Sequence, residues 1–436
     1  MNFKTTPGAT GYVDGGHGAL EPTAGGGLLS RRHFLSGAAS LGGAVAFLPL
    51  RTSAADQFDT LPSSWKEPGG GFSNYGQVER DSNLPIRWIS NHPAAPGDGV
   101  SWTPHHQLEG TITPNGLHFE RHHNGIPAVA ADQWEIAVHG RVDSNRAYSL
   151  DDLLRMPMET RQLFVECGGN SNALWREQPV QTWAGYMHGL VSCSEWTGVR
   201  LSTLLDYSGV LKDASWVIAD GLDGSGVTVS IPLTKALDDV LVALYQNGEP
   251  VRPAQGFPAR LVVPGWEGIT HVKWLRNLMV SDKPLMSKFD TVSYTDLQAD
   301  GSFERFSFAM GVKSFITSPS PGYGLTQQGI YEIKGLAWSG AGRVAKVEVS
   351  ADGGKSWGVA DIQPAAQPHT LARFRIPWHW QGQPATLMSR ATDETGTILP
   401  TRDALLAAKG ANAYYHFNGI TLWSVSTDGD IAHVYG

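Results

Sequence analysis

Regular alternation of apolar and polar positions first sets in at residues 133–140 (QWEIAVHG), which read as a strand with one buried face. Ser149 then opens the short amphipathic run SLDDLLRM as an N-cap, and Pro157 stops it. Residues 161–166 (RQLFVE) return to a strand pattern and deliver the chain into Cys167-Gly168-Gly169-Asn170. A helix is expected over 201–208, ended by Gly209, with a strand at 216–219 and a helical turn at 234–239. Strands and helices therefore alternate irregularly, which predicts an α+β domain with a mixed sheet ending near Asp300. No glycine-rich nucleotide motif accompanies it.

From about Phe303 the pattern changes to short alternating strands divided by turn residues. Examples are VAKVEVS closed by Asp352-Gly353-Gly354, then LARFRI, ATLMSRAT and ITLWSV. Roughly seven such runs predict an immunoglobulin-like β-sandwich, a unit more suited to pairing chains than to catalysis. Residues 61–114 are rich in Pro, Gly, Asn and Trp and show little periodicity, so they read as an extended segment on the domain surface. Four parts are thus expected: 1–55, 56–114, 115–300 and 301–436.

The first part has its own signature. Arg31-Arg32 precede HFLSG, an apolar run over 38–50 and the small residues Ser53-Ala54-Ala55. The run is too short to span a membrane, and the order of regions is that of a twin-arginine (Tat) leader, which exports folded proteins and so implies a periplasmic location. An uncleaved N-terminal helix with two chance arginines is the other reading. The formal charge is −8, and losing 1–55 removes four basic residues and two acidic ones, leaving an even more acidic chain. Such a surface excludes nucleic acid and anionic membrane as partners and suits basic proteins.

Composition, with 41% apolar and 10% aromatic residues in a 436-residue chain, fits a folded protein of more than one domain. Only Cys167 and Cys193 are present, so neither a c-type haem motif nor an iron–sulfur cluster motif exists, and redox chemistry needs an outside electron acceptor. A disulfide between the two is one reading. The other makes Cys167, at a strand end beside two glycines, a soft metal ligand open to a bulky group, and leaves Cys193 a buried structural thiol.

Five blocks stand in one order: FERHHNGIP (119–127), FVECGGN (164–170), EWTGVRL (195–201), VSIPL (229–233) and QNGEPVRPAQGFPARLVVPGWEGITHVKWL (246–275). From about Gly116 onward the chain resembles the sulfite oxidase family of molybdopterin enzymes. Within it, TPNGLHFERHH, SCSEWTGV, PGWEGITHVKWLR, GLAWSG and SRATDETG look most similar to the sulfane dehydrogenase branch, SoxC type. The resemblance implies molybdenum held by a pterin cofactor (molybdopterin) and by the thiolate of Cys167. It places Arg121 and Tyr245 with Cys167 at the reacting centre. His122, His123, Ser230, Lys235, Arg260, His271 and Lys273 are placed around the pterin and its phosphate, with His122 where the family usually has asparagine. Zinc at His122 and His123 is a rival reading that lacks a spaced third ligand. Solvated surface charge is the rival for Arg260 and Lys273.

The chain departs from the family at two places: Ser171 and Asn172 stand where arginine is usual, and Leu244 beside Tyr245 where the active-site tyrosine is usual. A pocket short of one cation implies sulfane carried on a protein arm (SoxYZ type) rather than free sulfite, with electrons leaving to a dihaem cytochrome c subunit (SoxD type). A homodimer through the C-terminal domain is also implied. The alternatives are a sulfite dehydrogenase and a non-enzymatic periplasmic binding or assembly protein.

Overall fold

The structure, a computed structural model, describes residues 22–30, 86–93, 97–305 and 307–436. Arg31-Arg32, the apolar run at 38–50, the small-residue site at 53–55 and most of the expected extended segment lie outside the described residues. Among the described residues no helix is long and apolar enough to cross a membrane.

Numbered along the chain, β1 (Ile86–Ile89), β2 (Gly99–Trp102) and β3 (Glu120–His122) make an antiparallel sheet. Two of these strands come from the stretch expected to be without periodic structure. They are only four residues long, too short for a periodic signal. β4 (Glu135–Gly140) and β5 (Arg146–Ser149) follow, then helix α1 (Leu150–Leu154), where Ser149 forms a reciprocal capping box with Asp152. β6 (Glu159–Glu166) pairs with β7 (Val191–Arg200) over eight residues.

Helix α2 (Leu201–Ser208) buries Leu201, Leu204, Leu205 and Ser208, one face at helical spacing, and ends at Gly209, whose φ of 68° favours glycine. Each of those leucines contributes about 1.5–3 kcal/mol by leaving water. β8 (Trp216–Gly221), β9 (Thr228–Pro232), helix α3 (Leu233–Asp238), β10 (Leu241–Gln246), β11 (Glu249–Pro250), β12 (Arg260–Val262) and β13 (Leu275–Ser281) complete the domain. One sheet runs β5-β4-β13-β8-β9, and its β4–β13 pair is parallel, so the sheet is mixed. The other runs β11-β10-β7-β6, with β12 also on β10.

A small hairpin of β14 (Asp296–Leu297) and β15 (Phe303–Glu304) spans the expected boundary near residue 300. Beyond it lie β16 (Lys313–Ser318), β17 (Gly329–Trp338), β18 (Val344–Ser350), β19 (Gly358–Val359), β20 (Asp361–Ile362), β21 (Ala372–Trp380), β22 (Ala385–Asp393), β23 (Leu422–Val425) and β24 (Ile431–Val434). They form two antiparallel sheets, β16-β17-β21-β20 and β19-β18-β22-β23-β24, an immunoglobulin-like sandwich. Its core runs without a break into Phe164, Leu174, Trp175, Val191 and Cys193 of the first domain. The strand leading to Cys167 is therefore braced from behind by the second domain.

Candidate active site

β6 ends at Glu166, and the chain turns at once. The Cys167 N–H donates to Leu190 O at 2.9 Å, and the Asn170 N–H returns to Cys167 O at 2.8 Å. Gly168 is required by space: a Cβ there would stand 1.9 Å from Glu267 Oε1. Cys167 and Cys193 are both free, so the disulfide reading does not hold. Cys193 is fully buried in the shared core, with Gln162 Nε2 at 3.6 Å from its sulfur. Burial pushes the Cys167 thiol up to about 11, against the Gly169 N–H and Arg121, which favour the thiolate.

The thiol lines a cavity of about 700 Å³, its mouth included, together with Arg121, His122, His123, Arg260 and Lys273. β3 supplies Arg121 and His122, β12 opens with Arg260, and Lys273 sits two residues before β13. Arg121 donates to Asp98 and to the His122 carbonyl. Arg260 is 3% exposed and lies over the Trp196 ring at 4.9 Å. Its guanidinium meets Gln255 O at 3.0 Å and His271 O at 3.3 Å. Lys273 Nζ donates to Arg121 O at 3.0 Å, Ala254 O at 3.1 Å and His122 Nδ1 at 2.9 Å. Among the described residues neither of these cations touches a carboxylate. Burial lowers Arg260 to about 9, and burial followed by Arg260 pushes Lys273 well below its usual range.

This is the signature of a site shaped for an anion. The fit to a phosphate-bearing pterin rests on those two cations, on the thiol at the wall, and on His118, whose buried Nε2 has no partner. Among the described residues no cluster of three or more ligating side chains stands ready for a metal on its own. A metal carried by a cofactor and bound by one thiolate needs no such cluster.

His122 accepts from Lys273 and donates Nε2–H to Glu120 Oε2 at 3.0 Å, so it is engaged on both nitrogens. His271 also lines the cavity, with the Val263 N–H on Nδ1 at 3.4 Å and Trp266 O at 3.1 Å from Nε2. Both ring nitrogens serve the backbone, and burial keeps the ring neutral, at about 3. His123 meets the hydroxyl of Tyr294 at 2.9 Å and is lowered to about 4 by burial and then by Arg121.

Three expected site residues stand elsewhere. Tyr245 is outside the cavity wall: a bulge in β10 between Ala243 and Tyr245 breaks the alternation that would have carried it there. Ser230 accepts the Leu285 N–H and donates to Leu285 O, both at 3.0 Å, so it ties β9 to the loop after β13. Lys235 lies off the cavity in an i,i+4 ion pair with Asp239 at 2.8 Å, and also donates to Pro264 O at 2.9 Å. Ser171 and Asn172 are likewise absent from the wall, and Ser171 is bonded to His188 Nδ1 at 2.8 Å.

The tyrosine at the wall is Tyr294, held at φ 56° and stacked on Tyr415 with ring centroids 5.0 Å apart. Its hydroxyl is raised by burial and then by Cys167. Nothing periodic marks it in the sequence. Behind the cysteine turn, Glu166 accepts from Asn170 at 2.9 Å, Lys313 at 3.1 Å and Trp338 at 2.6 Å. His416 donates its N–H to Gly168 O at 2.8 Å, while its ring lies 3.2 Å from Glu267 and 2.9 Å from Asp296. Lys313, Trp338 and His416 belong to the second domain, which was expected to suit pairing of chains more than catalysis.

A thiol on the wall of a cation-lined cavity, in a mixed α+β domain followed by a sandwich, defines a protein that binds an anionic, metal-bearing cofactor. The comparisons agree: the Oxidoreductase molybdopterin binding domain matches residues 123–289, and the Mo-co oxidoreductase dimerisation domain matches 304–422. Mitochondrial sulfite oxidase of Mus musculus is 31% identical over 317 residues, 67% of this chain and 58% of that protein. The Homo sapiens enzyme is 33% identical over 291 residues, 63% of this chain and 52% of that one. The chain thus spans between half and three-fifths of the length of these relatives. The crystal structure of the sulfane dehydrogenase SoxCD from Paracoccus pantotrophus superposes with a TM-score of 0.84 at 40% identity, covering 88% of this chain and all of that one. The chain belongs to the sulfite oxidase family of molybdopterin oxidoreductases.

Proposed function

We propose that this protein oxidises sulfur at a pterin-bound molybdenum held by Cys167, with carrier-bound sulfane as substrate and a cytochrome c as electron acceptor. The observation that carries it is the thiol of Cys167 on the wall of a cavity whose cations, buried Arg260 and half-buried Lys273, lack carboxylate partners among the described residues. The 40% identity to SoxCD, across the whole of that chain, supports the sulfane substrate and a SoxD-type partner. When bound, the cofactor supplies two-electron oxidation of sulfur with oxygen taken from water.

The chain's own residues place and stabilise. Arg260 and Lys273 would neutralise the phosphate-bearing cofactor, acting in a low-dielectric cavity where a fixed cation counts for more than in water, and the neutral His118 ring would help orient it through its free Nε2. Arg121, held by Asp98, lines the same cavity as Cys167 and stabilises negative charge growing on the sulfur substrate. The His123–Tyr294 pair limits the same space, with the tyrosine hydroxyl held 2.9 Å from the imidazole. Export through the twin-arginine leader, a SoxYZ-type carrier and a homodimer through the sandwich belong to the same reading.

Free sulfite is the second reading, favoured by the 31–33% identity to sulfite oxidases. The two separate in one assay, kcat/KM for carrier-bound sulfane against free sulfite with the cognate cytochrome present. A clear preference for the sulfane is expected, because docking contacts outside the pocket hold that substrate in place. Equal or better use of free sulfite overturns it.

A further inference from the structure

One edge of the C-terminal sandwich is already occupied. β21 pairs with β17 along its whole length, whereas β20 covers it on the other side only at Phe374 and Arg375. Beyond them, residues 27–29 take the open edge. The Leu29 N–H donates to Pro377 O at 2.9 Å, the His379 N–H donates to Gly27 O at 2.8 Å, and Trp378 Nε1 donates to Gly26 O at 2.7 Å. Gly25 N–H reaches Ser356 Oγ at 2.7 Å. Leu28 is fully buried within the sandwich core, and the Thr23 N–H donates to Leu28 O at 2.9 Å, folding the segment back on itself.

The fit is steric as well as polar. A Cβ at Gly25 would stand 2.5 Å from Asp352 Oδ2, at Gly26 2.9 Å from the Ala351 carbonyl carbon, and at Gly27 2.1 Å from His379 O. Gly26 and Gly27 also hold φ of 69° and 93°, where other residues are strained. On the receiving side, a Cβ at Gly358 would meet Thr23 Cγ2 at 2.7 Å. Two buried leucines on three glycines, added to a strand edge, is peptide recognition by strand addition.

The segment ends at Ser30, directly before Arg31-Arg32, inside the stretch read as a leader. We propose that residues 22–30 are a docking sequence for the chain's own C-terminal sandwich, a clasp between leader and finished domain that departs when the leader is removed. The proposal rests on the leader reading. The receiving edge needs β17, β20 and β21 in register, so an unfolded chain cannot hold the clasp. A folded precursor holds residues 22–30 against the sandwich, and leader removal uncovers a strand edge with a leucine-sized slot.

Hydrogen exchange on the full-length precursor reads the clasp at two amides, Leu29 and His379. Both should be protected, and Leu28→Asp and Gly27→Val should each speed both by at least an order of magnitude while amides in β22 and β23 stay unchanged. Fast exchange of both amides in the unaltered precursor overturns the clasp. The exported protein gives the second arm: its mass shows whether residues 22–30 are gone, and a synthetic peptide of that sequence should then bind it and slow His379 exchange, whereas the Leu28→Asp peptide should not. If residues 22–30 are gone and the peptide leaves His379 unprotected, the clasp is overturned. If the exported protein retains them, the leader reading and the departure of the clasp fail, and the precursor amides alone decide the docking.

Discussion

Two groups of buried charge flank the turn at Cys167. On the cavity side, Arg260 and Lys273 rest on carbonyl oxygens and ring faces, with no carboxylate of the described residues against either. On the far side, Glu166 is met by Lys313, Trp338 and Asn170, and Glu267 and Asp296 share His416, with Lys409 also on Asp296 at 2.6 Å. Burial is similar on both sides, yet one side is neutralised by the protein and the other is left for a ligand. Buried charge by itself therefore says little about function. Charge buried without its counter-charge is the informative case, because the protein carries its cost until a partner of opposite sign arrives.

The comparison can be broken at each end. Cys167→Ser should reduce sulfur oxidation to background with the fold retained, since a hydroxyl is a poor substitute for a soft thiolate. Steady-state assay beside circular dichroism checks it, and wild-type turnover would rule out the site. Lys313→Met should lower stability by about 3–5 kcal/mol, because Glu166 is left charged and unpaired at 0% exposure. Denaturant unfolding measures the loss, and adding Glu166→Gln should recover a large part of it.

His416 sharpens the contrast through pH. Burial alone lowers its pKa, but Glu267 and then Asp296 outweigh that and hold it at about 10. A folded pKa above the ordinary value of about 6.5 stabilises fully below pH 6.5, and the contribution is lost as pH rises through about 10. His416→Gln should therefore cost on the order of a few kcal/mol near pH 6 and much less near pH 10. A cost independent of pH would mean that the ring is not a cation in the folded protein. Arg260→Leu should have the smallest effect on stability, within about 1–2 kcal/mol in cofactor-free protein, since it removes an uncompensated cation. Cofactor retention should nevertheless fall roughly 10- to 100-fold, the worth of one charge-assisted contact.

The sequence displayed one side of this contrast better than the other. Cys167, Arg121, His123, Arg260 and Lys273 stand in contiguous blocks, and strand periodicity with the Ser149 and Gly209 caps located the frame that carries them. Lys235 was expected near the phosphate and stands in an i,i+4 pair with Asp239; a basic residue near a motif looks alike in sequence whether it faces phosphate or carboxylate. Tyr245 was expected at the reacting centre and stands off the cavity wall beyond a bulge in β10, which strict alternation does not foresee. Tyr294 and His416 left no local trace. Tyr294 meets His123 from 171 residues away, and His416 meets the cysteine turn only when the domains pack, across about 250 residues of chain.

The most direct test of the central claim is joint quantitation of molybdenum and pterin on protein folded in a host with intact cofactor synthesis, alongside Arg260→Leu and Cys167→Ser. Stoichiometric molybdenum and pterin in the unaltered protein, pterin depleted in Arg260→Leu, and molybdenum depleted in Cys167→Ser are the expected results. Folded, unaltered protein that carries neither would contradict the account.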